Sequence, residues 1–204
     1  MSVFNIHISV DIETDGLVPG RNNMLSLGAA ALETDEGRIV DTFKYNFSTV
    51  GDLLEDPSTM AWWKRFPEAY KRARENAQPP QRAITAFVDW VQENTNEKSV
   101  VFAWKPHFDL AFVRYYIHRF HKDGAQLCEH SIFGRGQFGL DLKTLAALAL
   151  KQRFHETKVS NIPSSLKIDE LGNPVIVHTH DALEDAIEQA YVFYNACRRL
   201  GVTL

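Results

Sequence analysis

Cysteine is scarce in this chain. Cys128 and Cys197 are the two it has, and they form no CxxC pair. That excludes a disulfide framework and leaves reduced, structural thiols in a cytosolic compartment as the expectation. No stretch approaches the ~18 apolar residues of a membrane span, and no basic segment followed by an apolar run opens the sequence, so a soluble, unexported, cytoplasmic protein is expected. No Ser/Pro-rich linker or shift of composition divides the 204 residues, of which 45% are hydrophobic. One domain spanning 1–204 is the reading. Positive charge is not in excess either, the formal net charge being −4. A polyanion would therefore have to be met locally, and six cations (Lys64, Arg65, Lys71, Arg72, Arg74 and Arg82) face only Glu68 and Glu75 between residues 61 and 82. Two readings of that segment stay open, a phosphate-holding patch and the solvated face of an amphipathic helix.

What the chain does have is a set of acids in short, well-placed segments. Phe4, Ile6, Ile8, Val10 and Ile12 alternate through residues 3–13, the pattern of a strand with one buried face. Asp11 and Glu13 fall on its other side, roughly 6–7 Å apart at a rise of ~3.3 Å per residue. Two acids held so close repel unless a cation lies between them, and a divalent metal answers that need. Residues 24–32 and 39–47 read as the next two strands, joined by a turn at 34–37, which makes an antiparallel start. Helical spacing follows at 59–76 and 81–94, then a buried strand at 99–103 and helices at 108–121 and 141–153. Residues 154–177, with Pro163 and Pro174, read as loops with short strands near 167–168 and 174–177.

The last helix has the plainest pattern. Ala182, Leu183, Ala186, Ile187, Ala190, Phe193, Tyr194, Cys197 and Leu200 recur at three- and four-residue intervals. Thr179 or His180 is placed at its start, and Arg198, Arg199 and Gly201 at its end. His180 then precedes the first turn, with Asp185 about 140° around from it.

Taken together, Asp11-Ile-Glu-Thr-Asp-Gly16, Phe108-Asp109 after a buried strand, and His180-x-Ala182-x-x-Asp185 resemble the three motifs of the DEDDh 3′–5′ exonucleases, in the family's order and across almost the whole chain. The tyrosine branch of that superfamily has Tyr four residues before the last Asp; here Asp181 stands there and His180 precedes it, which matches the histidine branch. Thr59-Met60-Ala61-Trp62-Trp63 is similar to a Trp-Trp segment of a smaller group that includes a mycobacterial exoribonuclease and phage exonucleases. One departure is Lys105, at a position where many relatives carry Asn.

The resemblance implies an α/β, ribonuclease H-like exonuclease fold, a mixed central sheet flanked by helices. It implies that Asp11, Glu13, Asp109 and Asp185 hold two Mg²⁺ or Mn²⁺ ions, that His180 is the general base, and that nucleoside 5′-monophosphates leave from the 3′ end of RNA or single-stranded DNA. The Trp-Trp likeness tilts the choice towards RNA. Thr14, Asp15, Gly16, Leu17, Met60, Trp62, Trp63, His107 and Phe108 are the expected substrate contacts, with core packing the alternative use of the Trp pair. His178 is read as a bystander and Asp181 and Glu184 as solvated; His7, His118, His121, His130 and His155 are read as structural or solvated. A homodimer is expected from relatives. A proofreading or repair subunit and a catalytically silent nucleic-acid-binding module are the competing classes, and the complete acid set speaks against the second.

Overall fold

The computed structural model describes residues 5–130, 139–175 and 178–202. Three strands open the chain, β1 (Ile6–Thr14), β2 (Met24–Glu33) and β3 (Arg38–Asn46). They form antiparallel pairs with Asp11 opposite Gly28 and Glu13 opposite Ser26. Residues 3 and 4, included in the expected first strand, lie outside the described residues. The β2–β3 turn ends at Gly37, whose positive φ of 77° suits a residue without Cβ. Two parallel strands, β4 (Val101–Ala103) and β5 (Leu140–Asp141), complete a mixed sheet of order β3-β2-β1-β4-β5.

Helices cover both faces. Ile8, Val10 and Ile12 of β1 pack with Ile84, Phe87 and Val88 of α3 (Pro80–Asn94) and with Phe112, Val113 and Tyr116 of α4 (Pro106–Phe120). On the opposite face Ala30, Leu32 and Phe102 meet Leu142 of α6 (Leu142–Leu150) and Ala190 and Phe193 of α7 (Ala182–Leu200). Every residue of β2 is buried, as expected of a strand covered on both sides. Among the described residues no helix is long and apolar enough to cross a membrane.

Several boundaries differ from the sequence expectations. The helix expected over 59–76 is two short ones, α1 (Pro57–Trp63) and α2 (Pro67–Arg72), because Pro67 supplies no amide to continue the first and starts the second. A short α5 (Gly124–His130) and the two-residue β5 carried too little periodicity to be seen. The stretch after α6 holds two 3-10 turns, Val159–Asn161 and Ser164–Leu166, and an isolated bridge between Ile168 and Pro174. Residues 176 and 177, part of the second expected short strand, lie outside the described residues. Helix α7 is capped by Asp181, not by Thr179 or His180. The Asp181 carboxylate accepts from the Leu183 and Glu184 amides, and Gly201 ends the helix in the left-handed region.

Candidate active site

The acids converge because three elements meet at one end of β1. Alternation puts Asp11 and Glu13 on the face covered by α7, and a register shift after Glu13 turns the chain away. Gly28, directly opposite Asp11, lets α7 descend to meet them: a Cβ there would stand 2.2 Å from the Ala182 carbonyl carbon and 2.3 Å from the Leu183 nitrogen. That close approach brings Asp185, in the first turn of α7, down onto the strand. Asp11, Glu13 and Asp185 offer carboxylate oxygens all within 4.8 Å of one another. Asp109, in the first turn of α4, borders the same cleft of about 470 Å³.

The electrostatics follow from crowding. Burial, then Asp109, Asp185 and Glu13, push the Asp11 carboxyl well above the usual range, and Gln189 pulls the other way. Burial, then Asp185, Asp109 and Asp181, do the same to Glu13. Burial raises Asp109 to about 7 against the pull of backbone hydrogen bonds. Crowding of this kind favours the protonated form of each of these acids until a cation offsets the charge, and an all-oxygen donor set is one that could hold a divalent metal. A second group of donors, His178, His180 and Asp185, also lies within 4.8 Å, so the edge of the cluster adds imidazole nitrogen.

Both histidines sit on a strap whose backbone is unusual. His178 and His180 have φ of +29° and +56°, conformations that side chains with a Cβ rarely adopt. Hydrogen bonds hold it there: the His178 amide donates to the Glu188 carboxylate, the Thr179 amide to Asp185 Oδ1 at 2.9 Å, and Arg72 to the Thr179 carbonyl at 3.3 Å. Asp181 anchors the end of the strap through Lys44 at 2.5 Å. The His180 ring meets Trp62 and Phe66 edge to face, with centroids 4.8 and 4.5 Å away. Burial lowers its pKa, which favours the neutral ring that can accept a proton.

The expected site residues divide into three groups. Asp11, Glu13, Asp109, Asp185, His180, Trp62 and Phe108 line the one cleft. Thr14, Leu17 and Trp63, together with Trp62 and Phe108, line an adjoining cavity of about 370 Å³. Met60, Asp15, Gly16 and His107 border neither. Met60 packs on the small core around Leu25 and Trp63, and His107 is exposed. Asp15 is buried, accepting from the Asn23 amide and side chain at 2.6 and 2.7 Å, and Gly16 lies hard against Asn22. Trp63 is only 2% exposed and donates from its indole to the Thr14 carbonyl at 2.9 Å, so it braces the motif from behind.

Two further expectations are corrected. His178 is no bystander, since its Nδ1 lies 3.1 Å from Asp185 Oδ2, and that contact raises its pKa against the effect of burial. Asp181 is not solvated but 6% exposed, and Glu184 accepts from the Thr179 hydroxyl at 2.5 Å. Of the other histidines, His7 is buried, and the side chain of His130 lies outside what the structure describes.

Sequence reasoning missed Gln189, which donates to Asp11 Oδ1 at 2.6 Å and accepts from the Trp104 amide at 2.7 Å. It also missed the buried pair Lys167–Glu188 at 2.6 Å, through which Glu188 fixes the strap. Glu188 and Gln189 each lie about one turn beyond Asp185 on α7, so helical spacing from the third motif is the signal that would have found them.

Over residues 6–197 the sequence matches the family described as the 3′–5′ exoribonuclease Rv2179c-like domain. The 3′–5′ DNA exonuclease Cap18 of Escherichia coli is 27% identical over 194 residues, which cover 92% of this chain and 89% of that protein. In structure the chain is similar to the nuclease domain of 3′hExo, a DEDDh family member solved with rAMP, at a TM-score of 0.64 and 13% identity over 97% of this chain and 94% of that one. It is also similar to E. coli exonuclease I in complex with a 5cy-dA13 oligonucleotide, at a TM-score of 0.65 and 13% identity. There the match covers 97% of this chain and 41% of the other, so this chain spans less than half of that enzyme's length. The fold is that of the ribonuclease H-like DEDDh exonucleases.

Proposed function

The chain belongs to the Rv2179c-like family of 3′–5′ exoribonuclease domains, and from that premise we propose that it shortens single-stranded RNA from the 3′ end by metal-assisted hydrolysis, releasing nucleoside 5′-monophosphates. It is a 3′–5′ exonuclease. The observation that carries the finer reading is the meeting of Asp11, Glu13 and Asp185 within 4.8 Å, with Asp109 and His180 on the same cleft.

In this reading Asp11, Glu13 and Asp185 hold one divalent ion, and Asp11 with Asp109 holds a second, Mg²⁺ or Mn²⁺ being the hard cations that suit carboxylate oxygen. Two such ions, when bound, supply charge stabilisation to the attacking and leaving oxygens of the phosphodiester. The rest falls to the chain. His180 accepts the proton of the attacking water, its ring kept neutral by burial and steadied by Trp62 and Phe66. Gln189 fixes the Asp11 carboxylate through Oδ1. The cavity between Leu17, Trp62 and Phe108 takes the terminal nucleoside, its apolar walls suited to a base.

A DNA substrate is the second reading, favoured by the likeness to Cap18, a DNA exonuclease. Matched 5′-labelled RNA and DNA strands, single-stranded and with 3′ overhangs, decide between them in buffers with Mg²⁺, Mn²⁺ or chelator. Stepwise shortening of RNA in metal and silence in chelator is the expected result. Cuts in a circular strand, or full activity with excess EDTA, refute the reading altogether. The proposal includes a single domain acting in the cytosol as a homodimer, which light scattering checks.

A further inference from the structure

We propose that Lys105, Lys143 and Lys158 form a collar that binds backbone phosphates of the strand on the 5′ side of the scissile bond. The inference rests on the exonuclease reading and deepens it, since it says how a chain of net charge −4 holds a polyanion.

The three lysines come from separate elements and share the cleft that contains the acids. Lys105 is the residue before α4, and its carbonyl accepts the Phe108 and Asp109 amides at 2.8 and 3.3 Å. Lys143 stands in the first turn of α6, with its ammonium 4.0 Å from the centre of the Phe154 ring and its amide bonded to the Trp104 carbonyl. Lys158 precedes the first 3-10 turn, which the buried Lys167 ties to α7 by donating to the Val159 carbonyl at 3.1 Å and pairing with Glu188. Among the described residues none of the three forms an ion pair, whereas the neighbouring Lys44 and Lys167 both do. Three lysines without an ion-pair partner among the described residues, lining the cleft beside the acids, give a phosphate chain cations to meet there.

The two cavities show which phosphates these are. Ile12, Glu13, Trp62 and Phe108 are common to both. Beyond them the smaller cavity is walled by Thr14, Leu17, Ser58, Thr59 and Trp63 and has no cation among its described lining residues, while the larger has all three lysines. In a strand with a free 3′-hydroxyl, the terminal nucleotide carries no phosphate other than the scissile one. A cavity without a described cation in its lining therefore suits the terminal nucleoside, and the lysines, which line only the larger cavity, meet phosphates that remain with the strand.

The test uses Lys105→Gln, Lys143→Gln, Lys158→Gln and the triple variant, with Lys122→Gln as a control. Lys122 is exposed, beyond the end of α4 and outside both cavities. Steady-state cleavage of a dinucleotide with a 5′-hydroxyl, and of a single strand of about twelve nucleotides, a length within the range such grooves track, is measured across KCl concentration. On the longer strand each collar variant is expected to raise KM several-fold with kcat nearly unchanged, and to flatten the slope of log(kcat/KM) against log[KCl] by about 0.7 per lysine. On the dinucleotide the change stays within about twofold, since counterions are released only where phosphates are neutralised. Equal losses on both substrates, or an unchanged salt slope on the longer one, overturn the collar. If the wild type cuts neither strand, the exonuclease reading is what has failed. Fluorescence anisotropy with a labelled strand then still judges the collar, which requires weaker binding in the triple variant and is refuted by equal binding.

Discussion

The carboxylate cradle and the histidine strap lie side by side, yet they are built in opposite ways. Asp11, Glu13, Asp109 and Asp185 are carried by a central strand and the first turns of two helices, all in regular backbone and nearly all buried. His178 and His180 ride on irregular chain, each with positive φ, and their rings are partly exposed. Residues in such conformations cost roughly 1–3 kcal/mol each and persist only where neighbours over-determine them. Here those neighbours are Glu188, Asp185, Arg72, Lys44, Trp62 and Phe66. The difference suits the two kinds of work proposed for them. Metal donors need fixed spacing and low dielectric, and a base needs reach and access to water.

The strongest break in the cradle is Asp11→Asn or Asp185→Asn, each of which removes one charge with little change of shape. Turnover is expected to fall below detection while the fold remains, and calorimetry should show weakened or single-site metal binding. Unchanged wild-type metal affinity would remove these residues from the ligand set. The metal-free protein gives a second readout with a definite sign. A buried carboxyl whose folded pKa is raised leaves stability intact below the unfolded value of ~3.9 and lowers it as pH climbs towards the folded value, which for Asp109 is about 7. Asp11→Asn should therefore raise the Tm of the apo protein at pH 8, by ~2–4 °C for each kcal/mol relieved, and the gain should shrink towards pH 5.

Breaking the strap at His180 instead should spare the metal. His180→Ala is expected to slow single-turnover cleavage roughly 10²–10⁴-fold with metal binding retained. A variant that binds metal and cleaves at the wild-type rate ends the role of His180 as base. His178→Ala separates the two rings. Because Nδ1 of His178 contacts Asp185, its loss should show first in metal affinity and only then in rate.

The cradle was legible in the sequence and the strap was not, for a physical reason. Alternating apolar residues fix which way Asp11 and Glu13 point, and the apolar stripe of α7 shows the helix that carries Asp185, while the resemblance to the DEDDh motifs is what singled out Asp109 and Asp185. The strap's shape depends on contacts with Lys44 and Arg72, more than a hundred residues earlier in the chain, which no local pattern encodes. The same holds for Gly28. Its place in β2 reads as a weak point of a strand, and only the register opposite Asp11 and the weight of α7 above it explain why a Cβ cannot be there. The split of 59–76 was readable from Pro67, whose missing amide ends any helix passing through it.

Trp62 and Trp63 sharpen the contrast at smaller amplitude, since adjacent residues of α1 serve the two regions differently. Trp62 borders both cavities and the His180 ring, whereas Trp63 lies in the core. Trp62→Leu should weaken substrate affinity ~5- to 150-fold, as expected from the loss of ~1–3 kcal/mol of stacking. Trp63→Leu should instead lower Tm, with the Thr14 carbonyl left without its indole donor. If both variants lose stability and keep affinity, Trp62 is a core residue and has no part in holding substrate.

The mildest expected effect comes from Lys44→Met, which keeps the apolar stem and removes the ammonium that grips Asp181. Asp181 would retain its two helix-cap amides and the more distant Arg72 at 3.7 Å, so the carboxylate is not stranded. Lys44 is also about one-third exposed, where water screens the pair. Both facts limit the stability cost to ~1 kcal/mol or less, a shift of ~2–4 °C in Tm at most. Rate is the more telling readout, because Asp181 directly follows His180 and sets where the strap joins α7. A modest fall in kcat with KM and metal affinity unchanged would place the effect on the base alone. Loss of metal affinity in the same variant would mean that the cradle depends on the strap for its spacing, and the division between the two regions would collapse.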